Sequence, residues 1–242
     1  MHSKYRGSKV ILAADELSLD KCLELVSKIG PQLYAIKIHN IYDQYGPGVV
    51  KRLLGAGANH IWVDAKLHDI PNTVGLRAKA IKDSGANILT VHASGELEMM
   101  WAALQNGPEQ IFAITVLTSL DEEEVHLLHG HSSKATVLYL ARLAKLAGCT
   151  GVVCSPKEVG ILAKRHELVG GLKGLKLVVP GVRSVGQSAG DQQRVNTPAN
   201  AIKAGANYLV VGRQLTETKD PIETLKKLEE EISEALVKRE KN

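Results

Sequence analysis

The sequence predicts a (β/α)8 barrel, and three observations carry that expectation. A short pattern recurs: Ala56-Gly-Ala-Asn-His-Ile-Trp-Val-Asp64, Ser84-Gly-Ala-Asn-Ile-Leu-Thr-Val-His92 and Ala204-Gly-Ala-Asn-Tyr-Leu-Val-Val-Gly212, with a looser copy in Ala147-Gly-Cys-Thr-Gly-Val-Val-Cys-Ser155. Each copy reads as a helix closed by glycine, then a short apolar strand, then a polar or glycine residue at the strand's end. The spacing is the second observation. Gly57 to Gly85 is 28 residues, Gly85 to Gly148 is 63 and Gly148 to Gly205 is 57, close to one, two and two units. The third is length, since 242 residues hold eight strand–helix units of about 30 residues each.

The elements follow in order. Val10–Ala14 is an aliphatic strand, and Ser18 opens a helix over Leu19–Ile29 that Gly30-Pro31 closes. The second strand, Tyr34–Ile38, is interrupted by Lys37. In the third, Ile61–Lys66, Ile61, Val63 and Ala65 alternate with Trp62, Asp64 and Lys66, the period of a strand. Ile70-Pro71 then enforces an extended entry to the next helix. Strands over Ile88–His92 and Ile111–Val116 precede a helix over Ser133–Ala147, whose Val137, Leu140, Ala141, Ala144 and Ala147 fall at helical spacing before Gly148. Gly151–Cys154, Leu177–Val179 and Tyr208–Val211 complete the eight strands. Asp220-Pro221 opens the last helix, Pro221–Val237. No linker or shift of composition divides the chain, so one barrel domain is expected over residues 1–242.

Composition narrows the partners. Hydrophobic residues make up 44% and charged residues 23%, as in an ordinary globular protein. One Phe and two Trp leave the core to Val, Ile, Leu and Ala. A net charge of +4 is too mild to argue for nucleic acid, and Lys238-Arg239-Glu240-Lys241 reads as a solvated helix end. Cys22, Cys149 and Cys154 have neither the number nor the spacing of a disulfide framework or a zinc site. No apolar run reaches membrane-spanning length and Met1–Gly7 lacks the apolar core of a signal peptide, so the expected compartment is the reducing cytoplasm, with no membrane partner. His126, His129 and His131 have no carboxylate placed to complete a metal site, and a solvated loop is expected there.

A barrel of this kind places its chemistry at the C-terminal ends of its strands. Those ends read Asp15, Lys37, Asp64 with Lys66, His92, Thr118-Ser119, Ser155, Gly181 with Arg183, and Gly212-Arg213. Polar strand ends are common because loops are polar, but that does not explain a lysine inside Tyr34-Ala-Ile-Lys-Ile38. Buried charges are costly unless paired, so Asp15, Lys37, Asp64 and Lys66 imply a structural ion network or a reaction centre whose carboxylates keep both lysines protonated. Pro180-Gly-Val-Arg183 opens a long polar loop running through Gln192, and Gly212-Arg213 follows the eighth strand, where barrels commonly bind phosphate. The hydroxyls of Thr115-Val-Leu-Thr-Ser119 suit a heterocycle.

These residues together resemble the orotidine 5′-phosphate decarboxylase family in its bacterial form, along nearly the whole chain. The most specific piece is Asp64-x-Lys-x-x-Asp-Ile-Pro-x-Thr73. Val91-His-Ala-Ser-Gly95, Thr115–Ser119, Gly151–Ser155, Pro180–Arg183, Gly190-Asp-Gln192 and Val211-Gly-Arg213 support it. The resemblance implies cofactor-free decarboxylation of orotidine 5′-monophosphate to uridine 5′-monophosphate, without a metal. It implies that Lys66 protonates the pyrimidine C6 and that Asp64 lies against the departing carboxylate. Lys37, Asp15 and Asp69 would complete the network and hold the ribose. Thr118 would contact the base, and Arg183, Gln192, Gly212 and Arg213 would hold the base-side loop and the phosphate. It further implies a homodimer in which Asp69, Ile70 and Thr73 reach the neighbouring subunit's site. The departures are Ala14-Asp15 where Leu-Asp is usual, and a loop tip Ser184–Ser188 that matches no pattern. Two other readings are a magnesium-dependent sugar-phosphate decarboxylase or aldolase barrel, against which Ile70–Thr73 argues, and a non-enzymatic nucleotide-binding barrel, against which the intact charge array argues.

Overall fold

The repeated glycines close their helices as their spacing requires. In the computed structural model, which describes residues 7–165, 171–184 and 196–240, Gly57, Gly85, Gly148 and Gly205 have φ of 110°, 96°, 97° and 122°. L-residues with a Cβ rarely adopt such values, which explains why glycine recurs at this point. The polar residue two positions later ties the start of one strand to its neighbour. Asn87 accepts the Ile61 N–H at 2.9 Å, Asn207 accepts that of Leu177 at 2.8 Å, and Thr150 accepts that of Ile111 at 3.3 Å.

Strand β1 (Val10–Ala13) leads into α1 (Leu19–Ile29), whose N-cap is Ser18. Then follow β2 (Ala35–Ile38), α2 (Asn40–Tyr45), α3 (Gly48–Gly55) and β3 (Ile61–Leu67). Helix α4 (Pro71–Asp83) begins at the expected proline and is followed by β4 (Ile88–His92), α5 (Glu96–Asn106) and β5 (Gln110–Ile114). Two helices, α6 (Glu122–His129) and α7 (Ser133–Ala147), separate β5 from β6 (Gly151–Val153). The chain closes with α8 (Val159–Lys164), β7 (Lys176–Val179), α9 (Pro198–Ala204), β8 (Tyr208–Val211), α10 (Arg213–Thr216) and α11 (Pro221–Glu240). All strands are parallel and the barrel closes in the order β1 to β8, with β8 pairing back to β1. The (β/α)8 barrel is therefore the fold, with strand limits displaced from expectation by one or two residues at most.

Side-chain alternation divides the core into two layers. Ile11, Ala35, Trp62, Ile88, Phe112, Val178 and Val210 fill the barrel, where Trp62 meets Phe112 edge to face at 5.3 Å. Their strand neighbours, such as Leu12, Ile36, Val63 and Leu89, face outward and pack under the helices. With a single Phe, aliphatic side chains supply most of both layers. At the N-terminal end of the barrel, Tyr34 stacks on Tyr208 at 4.1 Å and donates to Gln110 Oε1 at 2.9 Å, closing the floor. Cys22, Cys149 and Cys154 are buried free thiols, and burial pushes the first two up to about 12. No helix among the described residues is long and apolar enough to cross a membrane.

Two local readings are corrected. The histidine segment is not a loop: His126 and His129 lie on α6, because Asp121 and Glu124 cap each other's backbone and Gly130 ends the helix at φ 73°. Only His131 lies in the turn that follows. The last helix continues past Val237 to Glu240, since nothing in that polar sequence stops it.

The glycine geometry yields a ranked expectation. A Cβ at Gly205 would lie 2.5 Å from Ala163 Cβ, whereas one at Gly148 meets nothing within 4 Å. Gly205→Ala should therefore cost roughly 2–4 kcal/mol, combining backbone strain with overpacking. Gly148→Ala should cost roughly 1–2 kcal/mol from backbone strain alone. Urea unfolding midpoints check the order, and an equal or reversed ranking contradicts it.

Candidate active site

At the C-terminal mouth, adjacent strands bring four charges together. Lys37 faces inward from β2, in register with Trp62 of β3, and its side chain is only 8% exposed. Asp64, one inward step beyond Trp62, is equally buried. A single oxygen, Asp64 Oδ2, receives both ammonium groups: Lys66 Nζ at 2.7 Å and Lys37 Nζ at 3.3 Å. Lys37 in turn donates to both oxygens of Asp15, just past β1, at 2.8 and 2.7 Å. The array runs Asp15–Lys37–Asp64–Lys66, with alternating sign and no net charge.

Lys66 holds its place through a backbone departure. Its φ is +46°, and the β3–β4 register shifts between Val63 and Leu67. A left-handed residue with a Cβ costs roughly 1–2 kcal/mol, and such strain concentrates at functional sites. The kink lets Lys66 lean back onto the buried carboxylate while remaining 40% exposed itself.

The carboxylates are tuned by the same contacts. Burial alone would raise the Asp15 carboxyl. The hydrogen bond from His39 and the charge and hydrogen bond of Lys37 outweigh it, holding the group down at about 2. Asp64 shows the same contest: burial pushes it up, and the Lys37 and Lys66 ammoniums, with a hydrogen bond from Thr90, bring it below its ordinary value. His39 Nε2 lies 3.0 Å from Asp15 Oδ1, while its Nδ1 accepts the Asn40 N–H at 2.6 Å. Nε2 thus faces the carboxylate, while Nδ1 caps the start of α2.

The array floors one side of a cavity of about 350 Å³. Ile114, Val116, Leu117, Val153 and Val210 form an apolar wall, and Thr118 lies on its rim. Arg183, Gly212 and Arg213, beyond the ends of β7 and β8, line the cavity as well. A cavity that combines an apolar wall, a buried charge array and two guanidinium-bearing segments suits a flat heterocycle with an anionic tail. The array itself provides an ammonium beside a fixed carboxylate, so protons can be delivered without the site reorganising.

Most expected site residues meet here, and some do not. Asp15, Lys37, Asp64, Lys66, Thr118, Arg183, Gly212 and Arg213 all line the cavity. Asp69, Ile70 and Thr73 do not: Asp69 is exposed and accepts the Ile70 N–H at 2.7 Å, and Ile70 is 65% exposed on the rim. Gln192 lies outside the described residues. His39, Thr90 and Gln214 are additional members that the sequence reading passed over. His39 continues the alternation Lys37-Ile-His39, and Thr90 sits between Ile88 and His92 on the inward face, so the period-2 pattern was the available signal. His92 stacks on His68 at 5.3 Å, and burial, His68 and Lys66 lower its pKa. Among the described residues, no group of three or more His, Cys, Asp or Glu is placed to hold a metal.

Comparison with known proteins gives a consistent picture. A family model described as orotidine 5′-phosphate decarboxylase / HUMPS family matches residues 8–228. The chain is 40% identical over 228 residues to orotidine 5′-phosphate decarboxylase of Pseudoalteromonas translucida (strain TAC 125), covering 91% of this chain and 95% of that protein. It is also 40% identical over 233 residues to the protein of that name from Nitrosococcus oceani, covering 93% and 98%. The crystal structure of orotidine 5′-phosphate decarboxylase from Lactobacillus acidophilus superposes with a TM-score of 0.75 at 31% identity, covering 93% of this chain and 99% of that one.

The depressed Asp15 predicts an acid-side stability loss. A carboxyl whose folded pKa is below its unfolded value stabilises the fold above the unfolded pKa and ceases to do so as pH falls through the folded one. The window is therefore between the ordinary value of 3.8 and about 2. The stability advantage of the wild type over Asp15→Asn should shrink as pH falls from about 5 toward about 2.5, with most of the change below about 4. Denaturant midpoints measure it, and an advantage independent of pH over that range contradicts the ion-pair account.

Proposed function

The chain belongs to the orotidine 5′-phosphate decarboxylase / HUMPS family, and from that membership we propose that it converts orotidine 5′-monophosphate to uridine 5′-monophosphate and carbon dioxide. The observation that carries the reading is the fixed Lys66–Asp64 contact inside the cavity mouth. Breaking the bond from C6 to the carboxylate leaves its electron pair on the ring, where no neighbouring carbonyl can accept it. Electrostatic preorganisation is the available remedy. Lys66, held 2.7 Å from Asp64 Oδ2, stands as an ammonium beside C6. It transfers a proton there as carbon dioxide departs and is reprotonated from solvent.

The other residues take supporting roles. Asp64 lies against the leaving carboxylate, destabilising the bound substrate relative to the product, whose ring carries no carboxylate. Lys37 and Asp15 keep the array neutral overall and hold the ribose. Thr118 and the apolar wall receive the pyrimidine. Arg183, Gln192, Gly212 and Arg213 serve the base-side loop and phosphate, and binding energy gained there is used at the reacting carbon. A divalent cation, as a magnesium-dependent sugar-phosphate enzyme requires, would have to displace ammonium groups already bound to Asp15 and Asp64.

The working unit is a cytoplasmic homodimer with shared sites. Asp69, Ile70 and Thr73 stand away from their own cavity, and Asp69 and Ile70 are exposed, which suits residues completing a neighbour's site.

Turnover of orotidine monophosphate by a mixture of Lys66→Ala and Asp69→Ala subunits tests both claims. Each variant alone should be nearly inactive. In a heterodimer one site receives both native residues and the other neither, so activity should return toward about half the wild-type value per heterodimer, and a chelator should not affect it. No recovery under conditions that demonstrably exchange subunits places Asp69 in its own chain's site. Full activity of Lys66→Ala would remove the proton donor from the mechanism.

A further inference from the structure

Behind the two arginines lies a chain of hydrogen bonds that the proposed chemistry does not use. Ser184 directly follows Arg183, and Gln214 directly follows Arg213. The Ser184 N–H donates to Gln214 Oε1 at 3.1 Å, and Gln214 Nε2 donates back to Ser184 Oγ at 2.9 Å. The Ser184 hydroxyl then donates to Glu231 Oε2 at 2.8 Å. Glu231 Oε1 accepts the Ala199 N–H at 3.0 Å, in the first turn of α9. On the other side, the Arg183 N–H donates to Asn196 O at 3.0 Å.

This arrangement commits Gln214 to the protein. It lines the cavity, but its carbonyl oxygen and one amide hydrogen are spent on Ser184, whose hydroxyl both accepts and donates. The segment it belongs to needs such a tether. Helix α10 is four residues long, too short to hold its own geometry by helical cooperativity. Glu231 comes from the interior of the 20-residue α11, a rigid anchor. The pair therefore fixes the backbone after one arginine against the backbone after the other, and Glu231 fixes both to the helical layer.

We propose that Gln214 is a positioning residue that sets the separation of the Arg183 and Arg213 segments, and so their joint grip on the substrate's phosphate. The inference rests on the reading above that these arginines serve the phosphate. Gln214 itself touches no substrate atom. Its effect should be confined to ligands that carry a phosphate, because the base and ribose are held by other strands.

The test compares Gln214→Leu, Ser184→Ala and the double variant by calorimetric titration with uridine monophosphate and with uridine, alongside KM and kcat for orotidine monophosphate. Gln214→Leu is close in size at a partly exposed site, and Ser184→Ala is a milder second lesion should the first unfold the chain. Each single variant should weaken uridine monophosphate binding and raise KM about tenfold, the loss of roughly one good hydrogen bond's geometry. The double variant should be no worse than either single one, within about twofold, since both break one unit. Uridine affinity should stay unchanged. Equal losses for both ligands would show a general structural role and overturn the proposal. A defective Gln214→Leu beside a normal Ser184→Ala would show direct contact and overturn it too, as would normal behaviour of both. A wild-type chain that neither binds uridine monophosphate nor consumes orotidine monophosphate defeats the functional reading as well, a result distinct from these.

Discussion

One oxygen atom, Asp64 Oδ2, holds the site together. It lies in the barrel interior and accepts an ammonium from β2 and another from β3. A carboxylate moved out of water loses several kcal/mol of solvation unless charges of opposite sign replace it. Here two do, and each is paired elsewhere or reaches solvent. Lys37, itself buried, is satisfied by Asp15, while Lys66 keeps 40% of its side chain exposed. Taking away Asp64 would leave Lys37 with one carboxylate and Lys66 with none. The array is a single unit, and its members should not be separable in their effects.

The barrel explains why such a unit can exist here. Parallel strands put successive inward residues of β1, β2 and β3 at one level, so Lys37 lies beside Trp62 and one step below Asp64. The N-terminal end is closed by Tyr34, Tyr208 and the asparagines that tie strand to strand. The rigid floor carries the stability, and the C-terminal mouth can hold charge and strain. Lys66 at φ +46° is where that strain is concentrated, and a register shift in the neighbouring ladder accommodates it.

Much of this was legible in the sequence, for physical reasons that can be named. Glycine at a helix end and alternation in a strand are local necessities, so Gly57, Gly85, Gly148 and Gly205 announced the barrel and Lys37 announced the site. His39 and Thr90 were equally in phase but looked ordinary, because a polar residue near a strand end has many uses. The kink at Lys66 left no local mark, since neither Ala65 nor Leu67 favours a left-handed neighbour. It coincides with the Asp64 contact and with the shift in the β4 register, the second of which is non-local. The Gln214–Ser184–Glu231 chain joins positions 30 and 47 residues from Ser184, which no local pattern can reveal. The α6 helix is short and polar, and its clearest local signal is the capping pair Asp121 and Glu124 rather than any apolar period.

If Asp64 is the hub, its charge matters more than its shape. Asp64→Asn keeps the volume and one acceptor oxygen while removing the charge that both lysines share. The most direct measurement is kcat for orotidine monophosphate in this variant, set beside its affinity for uridine monophosphate. The account predicts a fall in kcat of at least about 10³-fold, with product affinity kept within about tenfold because the product carries no carboxylate at C6. A variant that retains kcat within about tenfold of the wild type would contradict it.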